Sequence, residues 1–496
     1  MIKKIKKRLS GLDKYSRYSL YVIAFFALIV ISLTSIYHVS GDGCWHMQAG
    51  KFISDNGKFP LFESIGRDEP FWSPPLYHLL AAAIFNTRIF FGDDFAFFAV
   101  KFISPVFGIL ALMFSFLSIK KMFDSKTAFY SVLFLAFIPI FIDYSTISYV
   151  ESMLTFFVIL SVYLMLKDKV FWSSVALGFA VLTKYNGLFV IPFLIYLVFK
   201  KHDARKAVKH SVLFLAVVAA ISGFWFLRNW ILLGNPIWPF LNFAFKGYGQ
   251  MSYAKANLAN IIGPRTFAFL YLGMFGVPDG NYNLFNFVNS GILKYAIWVW
   301  LFGTFIFTLP FILGFFKNFR KKQYLGLIVW IVPHIFLFIL YTLNVNSSVS
   351  RIIIPMFPAI SVFWAVGFLN LKKKFKVLKP IIALIIAGFI VTLVFKFSFA
   401  AKSWNVYNDD FKWVRENTSK DAFFVANGQC VSYNLRRSSE YINNNSIKKA
   451  DYIWQNQDFK LDRRSVYTKE ELSMIPKNSF IAYKNPKTGT VVYSVN

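Results

Sequence analysis

Long apolar runs alternate with short polar segments along the chain up to about residue 400. A helix that crosses a lipid bilayer takes about 20 apolar residues, and eleven runs are predicted to cross. They cover residues 18–37, 95–119, 127–142, 151–166, 170–185, 187–200, 211–230, 293–316, 324–343, 353–370 and 380–399. The pattern predicts an all-α polytopic membrane protein with about eleven transmembrane helices.

Basic residues cluster in six of the polar segments, and these clusters orient the chain. The clusters are Lys3–Arg17, Lys120 to Lys126, Lys167 to Lys169, Lys200–Lys209, Lys317–Lys322 and Lys372–Lys379. Because Lys and Arg accumulate in cytoplasmic loops, all six are predicted to be cytoplasmic. The N-terminus is then inside and the C-terminus is outside. The first helix, which follows the basic N-terminal segment, is expected to stay uncleaved. Residues 74–91 are also apolar, but a crossing there would break this alternation, so we expect a helix at the outer interface.

The predicted outer segments differ in composition from the inner ones. The first outer loop, residues 38–94, contains seven Asp and Glu against four Lys and Arg. After residue 400 the long apolar runs stop, and alternating segments such as 423–425 and 491–493 predict strands. The sequence therefore predicts two domains, a membrane domain over 1–399 and a small extracytoplasmic α/β domain over 400–496.

Composition agrees with a membrane protein and excludes several other classes. Hydrophobic residues make up 56% of the chain, above the roughly 45–50% of soluble domains. The net charge of +30 might suggest nucleic acid, but cytoplasmic loops facing anionic lipids explain it, so membrane lipids are the expected partners. Only two cysteines occur, Cys44 and Cys430, which rules out a cysteine-based metal site. A disulfide between them is possible but not demanded.

Asp42 follows the first run in a Ser-Gly-Asp-Gly-Cys segment and is the first candidate for chemistry. A carboxylate there could act as a general base or hold a divalent cation. His46 comes four residues later, so on a helix it would share a face with Asp42. The simpler alternative is that Asp42 is only a helix N-cap.

Glu151 opens the fourth run and is followed by fifteen uncharged residues. An acid at a helix N-terminus is favoured by the helix dipole alone, which is the structural explanation. The predicted topology, however, places Glu151 on the same side of the membrane as Asp42. Two such acids could form a base with its orienting partner, or a site for a divalent metal ion.

Three cations lie at the outer ends of apolar runs, namely Lys184, Arg228 and Arg351. Each could simply extend its charge to the lipid headgroups. Three cations on the side where loops disfavour them suggest instead a bound phosphate. Secondary candidates in the first outer loop are Glu69, with its neighbours Arg67 and Asp68, and His78.

The order of these features resembles a known family over residues 18–370. Its motifs are Asp42, the segment Phe71-Trp-Ser-Pro-Pro-Leu-Tyr77, Glu151, Gly178-Phe-Ala-Val-Leu-Thr-Lys-Tyr-Asn-Gly187, Arg228-Asn229 with Gly234-Asn-Pro-Ile-Trp-Pro239, and Arg351-Ile-Ile-Ile-Pro-Met-Phe-Pro358. Together they look like the GT-C glycosyltransferases, in the branch of protein O-mannosyltransferases and the lipid A aminoarabinose transferase.

The resemblance implies a GT-C fold and transfer of a sugar, with inversion, from a polyprenyl-phosphate carrier to a lipid, glycan or protein acceptor outside the cytoplasm. It implies Asp42 as general base and Glu151 as a second acid of the site. Lys184, Arg228 and Arg351 would then bind the carrier phosphate. The chain departs from the family pattern at Gly43, where many relatives have a second acid. It also departs at Ser73, where some have a basic residue, and at Glu151 itself, where Asp is common.

Two other functions fit parts of the sequence. A transporter or flippase of lipid-linked saccharides would also be polytopic, but such proteins often contain internal repeats, and none is evident here. An assembly factor that binds a partner through its tail would leave Asp42 and Glu151 without a role. The enzyme hypothesis is the one that accounts for the charges at the outer ends of the runs.

Overall fold

Helices make up most of the described chain, which in this computed structural model comprises residues 11–61, 70–249, 270–275, 293–345, 350–459, 461 and 465–495. The first helices are α1 Lys14–Ile36, α2 Asp42–Asn56, α3 Leu76–Asn86, α4 Arg88–Ala99, α5 Ile103–Met122, α6 Ser125–Phe137 and α7 Pro139–Thr146. They are followed by α8 Glu151–Leu166, α9 Val170–Thr183, α10 Ile191–Lys201, α11 Ala204–Leu233, α12 Asn242–Phe245, α13 Leu293–Asn318, α14 Leu325–Val345, α15 Phe357–Lys374 and α16 Leu378–Asn405. Each of the eleven predicted runs is largely helical, although several of them span two consecutive helical segments.

Seven helical stretches within the described residues are long and apolar enough to cross a membrane. They are Lys14–Ile36, Arg88–Met122, Ala204–Leu233, Trp298–Asn318, Lys322–Leu340, Ser350–Lys374 and Leu378–Asn405. Helices α6 and α7 are bent by 64° and would count as an eighth crossing if taken together. At 16 and 14 residues, α8 and α9 are only about 24 and 21 Å long, short of the roughly 30 Å hydrocarbon core. The polytopic all-α architecture is confirmed, and several predicted crossings are short or broken helices.

The apolar segment 74–91 forms a short helix rather than a long one. Helix α3 has 11 residues, about 16 Å, which is too short to cross the hydrocarbon core. Pro75 precedes it, and the chain leaves helical geometry again at Gly92, where φ is 81°. This length fits the expected interfacial helix, whose position relative to the membrane stays a prediction.

Residues 104–146 and 150–394, together with the N-terminal 32 residues, form the first of two compact units. Its closest helix contact joins α13 and α15 through glycine. A Cβ built at Gly367 would lie 1.8 Å from the carbonyl oxygen of Pro310, and one at Gly314 would lie 1.9 Å from that of Phe363. Only glycine allows the two backbones to touch in this way, as small residues do between membrane helices.

The tail contains a five-stranded sheet in the order β2-β1-β3-β5-β4. The strands are β1 Phe423–Val425, β2 Ser438–Glu440, β3 Tyr452–Asn456, β4 Phe480–Asn485 and β5 Thr490–Ser494. Strand β1 runs parallel to β2 and β3, whereas β5 is antiparallel to β3 and β4. The tail helices are α17 Asn408–Asn417, α18 Gln429–Leu435, α19 Asn444–Lys449 and α20 Lys469–Ser473. The predicted small α/β domain is confirmed, with strands at both predicted segments.

A buried carboxylate ties α17 to the sheet. Asp410 is fully buried and accepts hydrogen bonds from Tyr483 Oη at 2.8 Å, Asn485 Nδ2 at 2.7 Å and Thr490 Oγ1 at 2.7 Å. A buried carboxylate is tolerated when donors surround it, and here three donors from β4 and β5 do so. Helix α17 is therefore held at a fixed place on the sheet.

The second compact unit contains residues 33–103, 147–149 and 395–496. A disulfide between Cys44 in α2 and Cys430 in α18 joins its first and last segments, with the two Cα atoms 5.0 Å apart. The sequence allowed this bond without requiring it. This unit groups most of the first outer loop with the tail. The linear division into residues 1–399 and 400–496 stays a prediction.

Candidate functional site

Glu151 is the centre of a charged cluster in the first unit. It is the first residue of α8, and its side chain is only 1% exposed. Lys184 Nζ lies 2.7 Å from Glu151 Oε1, and Arg351 Nε lies 3.7 Å from the same oxygen. The other oxygen, Oε2, is buried and has no hydrogen-bond partner among the described residues. One carboxylate oxygen is thus held by cations, while the other is left for a donor that the described protein does not supply.

Breaks in the apolar helices bring the two cations to Glu151. Lys184 is in an extended conformation, with φ −162° and ψ 140°, between α9 and a 3-10 helix over Tyr185–Val190. Arg351 lies in another 3-10 helix, Ser350–Met356. Asn186 Nδ2 donates a hydrogen bond to the carbonyl of Ile352 at 3.4 Å, which links the two segments. A continuous helix at either place would give these side chains a different direction.

The cluster has one more positive than negative group, and its cations are accessible. The side chains of Lys184 and Arg351 are 19% and 18% exposed, against 1% for Glu151. The acid is therefore buried, whereas the two cations that contact it are partly exposed. Such an arrangement suits an anionic ligand that reaches the cations from outside, and phosphate oxygens accept strong hydrogen bonds from Lys and Arg.

Arg228 is connected to this cluster through hydrogen bonds. Its Nη1 donates to Asn229 Oδ1 at 2.8 Å, and its guanidinium lies 4.5 Å from the ring centre of Trp225. Asn229 Nδ2 in turn donates to the hydroxyl of Tyr185 at 2.8 Å, and Tyr185 directly follows Lys184. From the sequence, Arg228 was assigned a role of its own, whereas Asn229 and Tyr185 appeared only as parts of the family motifs. The signal for both was present, because a buried Asn within an apolar helix needs a hydrogen-bonding partner.

Asp42 lies in the second unit, as the first residue of α2. The N-cap position is occupied by Gly41, so Asp42 is not the N-cap considered from the sequence. Gly41 has a φ of 57°, and a Cβ there would lie 2.9 Å from the hydroxyl of Tyr149. The Asp42 amide donates to that same hydroxyl at 3.1 Å. Asp42 is exposed.

His46 and His78 form a buried pair one turn beyond Asp42. His46 Nδ1 lies 2.9 Å from His78 Nε2, and His78 Nδ1 lies 3.2 Å from the carbonyl oxygen of Pro74. A carbonyl only accepts, so His78 must carry its proton on Nδ1. The neutral His78 then accepts at Nε2 from His46 Nδ1. The two histidines are therefore one hydrogen-bonded unit that joins α2 to α3.

Aromatic side chains surround this histidine pair. The ring of Trp45 stacks on Phe71 at 5.5 Å and lies 6.3 Å from Trp72. His46 meets the ring edges of Tyr77 at 5.6 Å and Tyr149 at 6.1 Å. Helix α2, which starts at Asp42, thus packs against a cluster of aromatic side chains. Glu69, together with Arg67 and Asp68, falls outside the described residues.

The described residues do not fit the divalent metal considered at Asp42 and Glu151. No group of three His, Cys, Asp or Glu side chains in this part of the chain is placed to hold a metal ion. Glu151 already faces Lys184 and Arg351 at Oε1. A further cation at the same carboxylate would be opposed by these two positive charges.

Comparison with known proteins gives a family match over part of the chain and a shared fold. The sequence model of the Dolichyl-phosphate-mannose-protein mannosyltransferase family matches residues 73–228, a range that includes His78, Glu151, Lys184 and Arg228. Comparison with curated proteins gives no match. Several solved structures do match.

The structure of ArnT from Cupriavidus metallidurans bound to undecaprenyl phosphate aligns with a TM-score of 0.61 at 12% identity, over 96% of this chain and 98% of that one. ArnT in the apo state aligns with a TM-score of 0.64 at 12% identity, over 98% and 99%. The oligosaccharyltransferase AglB from Archaeoglobus fulgidus, in complex with an inhibitory peptide and a dolichol-phosphate, aligns with a TM-score of 0.52 at 12% identity, over 90% and 70%. At this identity the likeness establishes a shared fold.

Proposed function

We propose that this chain, a membrane glycosyltransferase of the GT-C superfamily, transfers one sugar from a polyprenyl-phosphate carrier to an acceptor on the outer side of the membrane. The observation that carries the proposal is the placement of Lys184 and Arg351 around the buried carboxylate of Glu151. A lipid phosphate leaving group needs positive charge at the point where its own negative charge develops. The matched structures contain undecaprenyl phosphate in ArnT and dolichol-phosphate in AglB, which supports the same class of carrier for this chain.

The sugar is transferred in a single displacement at the anomeric carbon. The acceptor oxygen forms a bond to that carbon while the bond from the carbon to the phosphate oxygen breaks. Polyprenyl phosphate leaves with the electron pair, and the acceptor proton passes to the Asp42 carboxylate. One displacement inverts the anomeric centre, as the resemblance to the family implies.

The donor side is assigned to the cluster around Glu151. Lys184 and Arg351 bind the phosphate oxygens and stabilise the charge that forms when polyprenyl phosphate leaves. Arg228 supports Lys184 through Asn229 and Tyr185 and adds positive charge nearby. Glu151 holds the two cations at Oε1, and its unpartnered Oε2 can accept a hydrogen bond from a sugar hydroxyl.

The acceptor side is assigned to Asp42. Its position in the first turn of α2 stabilises the ionised carboxylate, the form that accepts a proton. The Asp42 amide donates a hydrogen bond to the Tyr149 hydroxyl at this point. A general base must be accessible to the acceptor hydroxyl, and Asp42 is exposed.

The disulfide supports an outer location for Asp42 and the tail. Disulfides persist in oxidising compartments and are rare in the cytosol, and Cys44 lies two residues after Asp42. The basic clusters, which place the same segments outside, give an independent argument. Both lines support a tail outside, and the basic clusters also support an N-terminus inside.

Sugar transfer by purified protein tests the proposal directly. Radiolabelled polyprenyl-phosphate sugars would be incubated with extracytoplasmic acceptor fractions, with wild type compared against Asp42→Asn. We expect transfer by wild type and its loss in Asp42→Asn, since an amide cannot take the acceptor proton. Asp409→Asn is the matched control, because Asp409 is also an exposed acid in the first turn of a helix. Transport of the intact lipid-linked sugar without transfer would instead favour a flippase.

A further inference from the structure

The disulfide between Cys44 and Cys430 holds the backbone that carries Asp42. We propose that these two cysteines are positioning residues for Asp42: their bond fixes the first turn of α2 against tail helix α18 in the geometry that transfer requires. The inference rests on the proposed function, because it assumes that Asp42 is the base. It assigns the tail a role in the reaction, which nothing in the tail sequence suggested.

The two sulfur atoms contact the backbone just before Asp42. Cys44 Sγ lies 3.3 Å from the carbonyl oxygen of Val39, and Cys430 Sγ lies 3.8 Å from that of Gly41. Both cysteines are buried, at 0% and 3% exposed. The sulfur pair therefore fills the space behind the turn formed by residues 39–44, and its loss would leave a gap directly behind the proposed base.

The turn itself contains a conformationally permissive residue. Gly41 is at a φ of 57°, a region that glycine enters and leaves easily. The Asp42 amide donates a hydrogen bond to the Tyr149 hydroxyl at 3.1 Å. A flexible glycine next to a base is useful for close approach to a ligand, but it needs a fixed support. The covalent bond two residues later provides that support.

Helix α18 is itself anchored, so it can act as a fixed point. The ring of Tyr433 lies 5.2 Å from that of Phe97 in α4. Arg436 directly follows α18, pairs with Asp94 and lies with its guanidinium 4.4 Å from the Phe97 ring. These contacts hold α18 against α4 independently of the disulfide. Removal of the bond should therefore loosen the Asp42 turn without releasing the tail.

The test is a double-mutant cycle with Cys44→Ser, Cys430→Ser and the double variant. If the bond is what matters, each single variant and the double variant should show the same fall in kcat, of at least about tenfold per folded molecule. The KM for the polyprenyl-phosphate sugar should change less than about twofold, because the cations assigned to the donor are Lys184 and Arg351. Additive effects of the two single changes, or an unchanged kcat, would overturn the proposal.

Two further measurements, of melting temperature and of hydrogen exchange, distinguish a positioning role of the disulfide from a purely stabilising one. They also allow the positioning role to fail separately from the proposed function. A bond that only stabilised the fold would lower the melting temperature and leave kcat per folded molecule as in wild type. Hydrogen exchange over residues 40–50 should be faster in the double variant, while exchange over 408–417 stays unchanged. If wild type transferred no sugar, the proposed function would fail, and unchanged exchange at 40–50 would separately refute the positioning. Free thiols at both positions in unreduced protein would also refute it.

Discussion

Lys184 Nζ lies 2.7 Å from Oε1 of the buried Glu151, although 33 residues separate the two along the chain. This contact rules out the simplest structural explanation for each of the two side chains. Glu151 is not simply an acid favoured by a helix N-terminus, because a cation from another segment pairs with it. Lys184 is not simply extended towards lipid headgroups, because its ammonium is directed at a carboxylate that is 1% exposed.

Replacement of Glu151 by Gln tests whether its charge organises the cations. The neutral amide keeps the size of the side chain but no longer attracts Lys184 and Arg351, so both cations should lose their fixed positions. We expect kcat for sugar transfer to fall by roughly 100-fold, the scale of other losses of preorganised electrostatic groups. The measurement is the initial transfer rate at saturating donor. Glu416→Gln, at an exposed acid in α17, is the matched control and should behave as wild type.

Replacement of Lys184 by Met tests the phosphate site. Methionine keeps most of the length of the side chain but removes the charge. A charge-assisted hydrogen bond contributes about 1.5–3 kcal/mol, so the Kd for polyprenyl phosphate should rise by roughly 10- to 150-fold. Calorimetry or a labelled-lipid binding assay in detergent measures this. Lys402→Met, at an exposed lysine near the end of α16, should leave the Kd unchanged. An equal Kd for Lys184→Met and wild type would remove Lys184 from the donor site.

Labelling of introduced cysteines tests the sidedness of the chain. In the Cys44→Ser/Cys430→Ser background, Lys420→Cys in the tail should react with a membrane-impermeant maleimide added to intact cells. Lys206→Cys, in a basic cluster predicted to be cytoplasmic, should react only after the membrane is broken. Both lysines are exposed, so accessibility within the protein is matched. Labelling of both positions, or of neither, in intact cells would contradict the predicted orientation.

His38 provides a prediction for stability against pH. Burial, then the charge of Lys101 and a smaller effect of Arg415, lowers its pKa from 6.5 to about 4, although a hydrogen bond with Asn434 opposes this. The imidazole stacks on Trp404 at 5.1 Å. Between pH 6.5 and 4 the unfolded chain binds a proton that the folded one does not, so stability falls as the pH is lowered through this range.

The variant His38→Gln should lose part of this acid sensitivity, because Gln does not titrate. The melting temperature of purified protein would be measured from pH 7 to pH 4 for both proteins. The drop in melting temperature over this range should be smaller in the variant. A parallel drop in the two proteins would show that other groups account for the acid sensitivity.

The charges of the site were visible in the sequence, but their partners were not. Asp42, Glu151, Lys184, Arg228 and Arg351 were all found because a charge next to an apolar run is costly and needs a reason. The sequence suggested that Glu151 works beside a second acid or a metal. The structure adds Lys184 and Arg351 at Glu151 Oε1. They lie at or in two 3-10 segments that no periodic pattern predicts. The catalytic roles of these residues stay predictions.

The sequence pattern was enough to predict a polytopic membrane protein. Apolar runs of fixed length and the bias of basic residues depend on the bilayer, which acts on each segment locally, so the helices and an expected sidedness follow from local composition. The pairing of Lys184 with Glu151, the His46–His78 unit and the bond between Cys44 and Cys430 are visible only in the folded chain. The last joins residues 386 positions apart. Such contacts depend on how the whole chain folds back on itself, and local periodicity carries no information about that.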